Sequence, residues 1–203
     1  MKIVIIGSGT TAKSVGNIIL ENKSMQISGF LGNDADNKKY SGKNIINNFP
    51  FLGTYDLLEE LNKIDIRGFI VAIGDNRIRE KIYYKALKSN LIPINAISRD
   101  SKISNSALID KGVIIKPGSI IGHDVNIRQN TKIDSGTIIE INSEIGSNCT
   151  IGASVVIQGE CKIMKNVTIG SRVTISSYIT VGKNQVIEDG SIINKNLEDL
   201  ERK

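Results

Sequence analysis

Isoleucine recurs at every sixth position through the second half of this 203-residue chain. An α-helix repeats about every 3.6 residues and a strand about every 2, so neither explains a period of six. This period is typical of a parallel β-helix built from hexapeptide repeats, in which three repeats close one triangular coil. Only Val181 departs from isoleucine in the series, which comprises Ile103, Ile109, Ile115, Ile121, Ile127, Ile133, Ile139, Ile145, Ile151, Ile157, Ile163, Ile169, Ile175, Val181, Ile187 and Ile193.

A second, mostly small side chain precedes each of these positions by two residues, and we expect it to face a tight corner of the coil. Both cysteines of the chain, Cys149 and Cys161, fall in this position. We therefore expect them to be buried core residues and not a disulfide or a metal pair. The full set is Ala107, Val113, Ser119, Val125, Thr131, Thr137, Ser143, Cys149, Val155, Cys161, Val167 and Val173.

The first 96 residues have a different pattern, in which β-branched apolar runs alternate with helical segments. We predict strands at 2–6, 27–31 and 68–73, a polar loop at 32–48, and a helix that begins with Thr54 as its N-cap. Alternating strands and helices indicate a small, Rossmann-like parallel α/β domain. The predicted organisation is an α/β domain at 1–96, a β-helix at 97–195 and a charged tail at 196–203.

Ligands of parallel α/β sheets bind at the carboxyl ends of the strands. The turn Gly7-x-Gly9-x-x-Ala12 matches a loose dinucleotide fingerprint, but a β-helix does not supply the catalytic domain of a dehydrogenase. The turn favours phosphate binding through free N–H groups at a helix N-terminus; alternatively, its glycines serve only a tight turn. The candidate substrate-binding residues are Gly7, Ser8, Gly9, Thr10, Thr11, Gly32, Asn33, Gly74, Asp75 and Asn76.

The composition limits the function classes. The net charge is +5, but the lysines are scattered and aromatic residues are 4%, which disfavours a nucleic-acid interface. The charge suits phosphorylated small molecules or reflects compositional bias alone. No apolar run approaches the roughly 18 residues of a membrane span, and the chain opens directly with a strand, so we expect a cytoplasmic protein. The single histidine, His123, excludes a three-histidine zinc site, and we expect no metal.

Three segments of the first domain carry a family resemblance. Residues 2–9 resemble the opening strand and turn, Phe30 and Leu31 the end of the second strand, and residues 72–81 the third strand with its helix. Together with the uninterrupted repeats, they resemble the hexapeptide-repeat sugar acetyltransferases. That family includes the sialic-acid O-acetyltransferases and the bacillosamine-pathway N-acetyltransferases.

The resemblance implies a left-handed β-helix that forms a homotrimer, with acetyl-CoA bound between neighbouring prisms. The α/β domain would bind a nucleotide-activated sugar, and the protein would acetylate its amino or hydroxyl group in bacterial surface-glycan biosynthesis. A histidine at a prism corner, beside an acidic residue, would act as general base. The cofactor-binding residues that the resemblance implies are Thr150, Gly159, Gly170, Ser171 and Gly190.

The chain departs from the family where the chemistry occurs. Ile141 stands at the position of the catalytic histidine, and Thr150 at that of a second histidine facing the acetyl group. His123 precedes Ile141 by 18 residues, one full coil, and so lies in the same corner. Either the active site has moved by one coil, with His123 as base oriented by Asp124, or His123 is a solvent-exposed or structural residue.

Two other carboxylates follow inward-facing isoleucines. We expect Asp134 and Glu140 to be solvated, although Glu140 would be a substitute base if burial raised its pKa. Three functions remain open: an acetyl-CoA-dependent sugar acetyltransferase, a catalytically impaired nucleotide-sugar-binding or scaffold protein, and transfer of another acyl group from CoA or acyl carrier protein.

Overall fold

The computed structural model describes residues 1–21, 24–46 and 49–201, and it divides into two compact units, Met1–Ala96 and Ile97–Lys203. In chain order, the first unit contains β1 (Lys2–Ile6), α1 (Thr10–Leu20), β2 (Gln26–Gly32), α2 (Asp34–Tyr40), β3 (Asn44–Ile46), β4 (Phe49–Thr54), two 3-10 helices (Tyr55–Glu59 and Leu61–Ile64), β5 (Gly68–Val71), α3 (Asn76–Lys88) and β6 (Ile92–Pro93).

The first unit is built on one sheet with the strand order β3-β4-β2-β1-β5-β6. Every pairing in it is parallel except β3 with β4. The central strands β1 and β5 consist of apolar residues that are buried from Ile3 to Ile6 and from Gly68 to Val71, because helices cover a parallel sheet on both faces. The predicted parallel α/β fold is therefore confirmed.

Two predictions for this unit are wrong. The described part of the expected loop at 32–48 contains α2 and β3, while residues 47–48 lie outside the described ranges. Helix α2 buries no side chain, so it lacks the apolar period by which a helix is recognised. The helix expected after Thr54 is two short 3-10 helices, and the Thr54 hydroxyl contacts Asp56 at 3.5 Å without capping a backbone N–H.

The second unit is a three-sided prism of two-residue strands. Each strand pairs in parallel with the strand 18 residues further along, as in Ile121 with Ile139, so three hexapeptides close one coil as predicted. Sheet 1 contains Ala96–Ile97, Ile114–Ile115, Lys132–Ile133, Thr150–Ile151, Thr168–Ile169 and Val186–Ile187. Sheet 2 contains Lys102–Ile103, Ile120–Ile121, Ile138–Ile139, Val156–Ile157, Thr174–Ile175 and Ile192–Ile193. Sheet 3 contains Leu108–Ile109, Asn126–Ile127, Glu144–Ile145, Lys162–Ile163 and Thr180–Val181.

The prism core is formed by the second residue of each strand and the small residue two positions earlier, as expected. Polar members of the small position satisfy their hydrogen bonds at the corner of the next coil. The Thr137 hydroxyl donates to the Gly152 carbonyl oxygen at 2.7 Å, and the thiols of Cys149 and Cys161 contact the carbonyl oxygens of Met164 and Ser176. Both cysteines are fully buried and free, which confirms their predicted role.

From Gly112 to Gly190, each corner of the prism contains one residue with left-handed backbone. We call the segments that join sheets 1 and 2, 2 and 3, and 3 and 1 the 1–2, 2–3 and 3–1 corners. Glycine, asparagine and aspartate tolerate this conformation best, and they fill most of these positions. The left-handed residues recur every six positions: Gly112, Gly118, Asp124, Asn130, Gly136, Asn142, Asn148, Ser154, Glu160, Asn166, Arg172, Tyr178, Asn184 and Gly190.

An asparagine ladder runs along the 3–1 corner. The side-chain amides of Asn130, Asn148 and Asn166 each donate to the side-chain oxygen of the next asparagine, 18 residues later, at 2.9–3.3 Å. The last member, Asn184, donates to the carbonyl oxygen of Leu200 at 2.6 Å. This segment of the tail also forms a parallel bridge from Leu197 to Val181, so the described part of the tail covers the end of sheet 3.

Candidate active site at a prism corner

His123 lies in the first part of the prism, at the 2–3 corner, and it is exposed. It borders an open groove of about 630 Å³ that is also lined by Lys102, Ser104, Ile120 and Gly122. This volume lies within the range of small-molecule sites. The imidazole Nδ1 is 2.9 Å from Ser104 Oγ. The geometry therefore provides a held histidine beside a groove that can admit a ligand.

Asp124 does not orient the histidine as its position in the sequence suggests. Its backbone has the left-handed φ of 56°, and its N–H donates to Ser106 Oγ at 3.0 Å. The hydrogen-bond partner of the His123 ring is Ser104, and the structure shows no bond from the ring to the Asp124 carboxylate among the described residues. An aspartate is thus explained here by the turn it occupies.

Asp134 is the clearest correction to the sequence-based expectations, because it is largely shielded from solvent and paired with lysines. Only 18% of its side chain is exposed, and its carboxylate forms ion pairs with Lys116 and with Lys132, the latter at 3.1 Å. Burial by itself would raise the pKa of Asp134, but the neighbouring Lys132 and Lys116 ammonium groups outweigh it and lower the pKa below its usual value. A carboxylate held ionised in this way is a poor proton acceptor, so Asp134 is not a candidate base.

Glu140 is exposed, in agreement with the expectation for this residue. Its carboxylate accepts a hydrogen bond from the N–H of Gly159 at 3.1 Å, which links two coils of the 2–3 corner. Glu140 would be a substitute base only if burial raised its pKa, and the exposed side chain does not meet this condition. His123 remains the candidate base of this corner.

The candidate substrate residues of the α/β unit lie at one edge of its sheet. The turn after β1, the end of β2 and the turn after β5 are adjacent, since these three strands are neighbours. The Gly7 N–H donates to the Leu31 carbonyl oxygen at 2.8 Å, and the Ala72 N–H donates to the Ile6 carbonyl oxygen at 2.7 Å. The structure therefore brings Gly7–Thr11, Gly32–Asn33 and Gly74–Asn76 together, as the fold predicts.

The helices at this edge differ in how their N-termini are satisfied. Asn33 caps α2 by accepting from the Asp36 N–H at 2.8 Å, and Asp75 caps α3 by accepting from the Ile78 N–H at 2.9 Å. Gly9 occupies the N-cap of α1 and has no side chain to do so. The first N–H groups of α1 consequently remain available to an anionic ligand.

Arg79 is a residue of this edge that the sequence reasoning missed. It is 1% exposed, and its guanidinium donates to the carbonyl oxygens of Ile73 and Gly74 at 3.2 and 3.1 Å. It therefore holds the turn after β5 from inside the unit. The sequence signal was its position four residues after Asp75, about one helical turn, which puts it on the same side of α3 as the turn after β5.

The residues that the resemblance assigns to acetyl-CoA are not all close together in one chain. Gly159 lies two coils beyond His123 in the same column of the 2–3 corner, whereas Thr150 is in sheet 1. Gly170, Ser171 and Gly190 lie at the 1–2 corner, where the Ser171 N–H already donates to Asp189 Oδ1 at 2.8 Å. The 1–2 and 2–3 corners border opposite sides of sheet 2.

Two family models match the chain. Residues 2–86 match the PglD N-terminal domain, and residues 142–177 match the bacterial transferase hexapeptide family of six repeats. The chain thus contains a left-handed β-helix whose residues 142–177 are similar to the bacterial transferase hexapeptide family. It combines these repeats with a PglD-type N-terminal domain, and the resemblance to the hexapeptide-repeat sugar acetyltransferases is confirmed.

Solved structures share this architecture over nearly the whole chain. PerB from Caulobacter crescentus, in complex with CoA and GDP-perosamine, aligns with a TM-score of 0.90 at 24% identity, covering 98% of this chain and 92% of that one. A histidine-to-asparagine variant of perosamine N-acetyltransferase from the same organism, with the same ligands, gives 0.90 at 25% identity over 98% and 91%. The acetyltransferase domain of PglB from Neisseria gonorrhoeae, in complex with acetyl coenzyme A, gives 0.87 at 22% identity over 98% and 93%.

One curated relative matches part of the chain. An uncharacterized protein of Acanthamoeba polyphaga mimivirus is 32% identical over 110 residues, which are 54% of this chain. The chain spans only 20% of the length of that relative.

Among the residues that the structure describes, no group of three or more histidine, cysteine, aspartate or glutamate side chains could hold a metal ion. None of the helices in the described ranges has the length and apolar character needed to cross a membrane.

Proposed function

We propose that the protein transfers the acetyl group of acetyl-CoA to an amino group of a nucleotide-activated sugar, with His123 as general base. The observation that carries this proposal is the groove at the 2–3 corner, where the single histidine of the chain lies one coil from the family position. The shared fold with sugar N-acetyltransferases supports it. Cytoplasmic synthesis of precursors for bacterial surface glycans is the setting that we propose.

The nucleotide would bind at the carboxyl edge of the α/β sheet. The N-terminus of α1 has no side-chain cap, and its first turn contains no acidic residue. Free N–H groups and the positive end of the helix dipole favour a phosphate there. Gly9 leaves open space, since an added Cβ would meet no atom within 4 Å. The turn can therefore be approached closely by a diphosphate.

The chemistry requires one proton to move away from the attacking nitrogen. When the amine attacks the thioester carbonyl, a C–N bond forms, the C–S bond breaks, and the nitrogen must lose a proton. His123 Nε2 would accept this proton and return it to the departing thiolate of CoA. An amine is already nucleophilic when neutral, so it demands less of the base than a hydroxyl, and we propose N-acetylation for this reason.

The donor site would be completed by assembly of three copies. The outward residues of sheet 2 include four aliphatic side chains: Ile120, Ile138, Val156 and Ile192, of which Ile120 is 43% exposed and Ile192 73% exposed. If sheet 2 faces the threefold axis, the 2–3 corner of one prism meets the 1–2 corner of the next. This arrangement would unite His123 and Gly159 with Gly170, Ser171 and Gly190 of a neighbouring copy.

Calorimetry with acetyl-CoA, followed by an acetylation assay with GDP-perosamine as the amino-sugar probe, tests the proposal. We expect micromolar binding of acetyl-CoA and release of free CoA thiol. His123→Ala should reduce the rate of thiol release by about 10²–10⁴-fold. The matched control is Asn126→Ala, at the first position of the sheet 3 strand Asn126–Ile127 and outside the groove, which should keep the wild-type rate. Absence of binding at millimolar acetyl-CoA would contradict the proposal and favour a nucleotide-sugar-binding or scaffold protein. Ile141 and Thr150, which replace the two histidines of the family, would then mark the loss of catalysis.

A further inference from the structure

The ring of His123 is held by a residue from the preceding coil. Ser104 Oγ lies 2.9 Å from His123 Nδ1, and both residues border the same groove. The two positions are 19 residues apart, so one coil and one residue separate them. The other ring nitrogen, Nε2, forms no hydrogen bond to a described residue and is the nitrogen left for a ligand.

Ser104 is itself fixed by a small network. Its Oγ lies 3.2 Å from Ser106 Oγ and accepts from the Ser106 N–H at 3.4 Å. Ser106 Oγ in turn accepts from the Asp124 N–H at 3.0 Å. Two hydroxyls and two backbone amides of adjacent coils thus form a connected set that ends at the imidazole. The Asp124 carboxylate takes no part in it.

A neutral imidazole can accept a proton at Nε2 only in the tautomer that has its hydrogen on Nδ1. The hydrogen bond made by one ring nitrogen decides which nitrogen carries the proton. If Nδ1–H donates to Ser104 Oγ, the Ser104 hydroxyl hydrogen is free to point to Ser106 Oγ. The hydroxyl hydrogen of the exposed Ser106 then points to solvent. Lys102 borders the same groove, and Asp124 directly follows His123 in the chain.

We propose that Ser104 is the positioning residue of this site: it accepts from His123 Nδ1–H and so presents a basic Nε2 to the acceptor amine. A hydroxyl from the preceding coil thereby replaces the acidic partner that the family places beside its histidine. The catalytic role of Ser104 in this inference rests on the proposed function. The ring geometry and the tautomer do not depend on that function.

The tautomer can be measured directly, because His123 is the single histidine of the chain. Nitrogen-15 shifts of its ring at about pH 8.5, where an ordinary imidazole is neutral, report the Nδ1–H to Nε2–H ratio. We expect Nδ1–H to dominate in the wild type and in Ser104→Thr, and Nε2–H, which free imidazole side chains prefer in water, to dominate in Ser104→Ala. The control Ser101→Ala, which loses a 2.6 Å hydroxyl bond to Ser98 in the same coil, should match the wild type.

Kinetics with acetyl-CoA and GDP-perosamine provide the second measurement. Ser104→Ala should lower kcat by about tenfold to a hundredfold with KM unchanged, below the full contribution of a general base, and Ser104→Thr should restore most of it. A wild-type ratio favouring Nε2–H, or a ratio unaltered by Ser104→Ala, would overturn the inference. So would full kcat in Ser104→Ala when His123→Ala is inactive. If the wild type does not acetylate the probe, the proposed function is contradicted, and the tautomer ratio still decides the role of Ser104.

Discussion

Ile141 lies one coil beyond His123 in the same column of the 2–3 corner. The N–H of Asn142 donates to the His123 carbonyl oxygen at 3.0 Å, and the register of Ile121 with Ile139 fixes the offset at 18 residues. The apolar residue at the family position and the candidate base are thus one strand spacing apart, about 4.8 Å. Because the two positions are so close, moving the histidine from position 123 to position 141 can test whether proton transfer takes place at this corner.

A histidine at position 141 should recover activity when His123 is removed. Ile141 is 47% exposed, so Ile141→His should cost little stability. We expect the double variant Ile141→His/His123→Ala to acetylate GDP-perosamine at least about tenfold faster than His123→Ala alone, because a general base is restored. The control adds a histidine elsewhere, as Leu108→His in the same background. Equal rates in the two double variants would show that the 2–3 corner is not the site of proton transfer.

The buried ion pairs of Asp134 should make stability depend on pH in the acid range. Its pKa is lowered on folding, so its contribution is complete above the usual value of 3.8 and is lost as the pH falls below it. Asp134→Asn should lose about 3 kcal/mol near pH 7, because the buried Lys132 then loses its ion pair with this carboxylate, and should flatten this part of the pH profile.

Urea denaturation at several pH values measures the effect of Asp134→Asn. Asp110→Asn is the matched control, since its carboxylate is exposed and 3.9 Å from Arg128, and it should change stability much less. Parallel pH profiles for the wild type and Asp134→Asn would refute the assignment.

The two glycines of the first turn should respond differently to alanine. Gly7 has a φ of +134°, and an added Cβ would lie 2.5 Å from the Ala72 carbonyl oxygen, so Gly7→Ala should destabilise by about 2 kcal/mol or more. Gly9 has open space and an ordinary φ of −82°. We expect Gly9→Ala to melt like the wild type but to bind GDP about tenfold more weakly, because its methyl group would shield the α1 N-terminus.

Thermal denaturation and calorimetry with GDP separate these effects. If Gly9→Ala binds GDP as the wild type does, the turn serves only the fold and the nucleotide binds elsewhere.

A charge on sheet 2 should prevent assembly if this sheet lies at the threefold axis. Ile120→Glu would place three carboxylates close together in the trimer, and we expect sedimentation velocity to show monomers at micromolar concentration. Leu108→Glu on sheet 3, which is 66% exposed, should remain trimeric. A trimeric Ile120→Glu would indicate that another sheet forms the interface.

The prism could be predicted almost completely from the sequence, because its period of six is fixed by the repeating geometry of the coil. The elements of the first unit were harder to predict from the sequence. Helix α2 has no buried side chain, and its sequence signals were the capping box of Asn33 and Asp36 and the charges of its first and last turns. The 3-10 segments after Thr54 have the apolar residues of a helix, but they extend for only five and four residues.

The site was harder to predict because its contacts cross between coils. Asp134 directly follows an inward isoleucine, and only its neighbours in space, Lys116 one coil earlier and Lys132 two residues away, make it a buried ion-pair centre. The Ser104–His123 contact could have been found by subtracting 18 from 123 and inspecting the residues around position 105. Adjacent sequence favoured Asp124, whose identity is explained by the left-handed turn.

The asparagine ladder stays continuous only if the prism is lengthened or shortened by whole coils of 18 residues. Deleting one hexapeptide between two asparagines would bring a residue from a different corner against the asparagine that precedes the deletion, and so interrupt the line of amides. Deleting all 18 residues from 131 to 148 would instead bring Asn130 against Asn166, which is again an amide facing an amide. The protein can thus change its height in steps of one coil while every column, including the one that contains His123, keeps its corner.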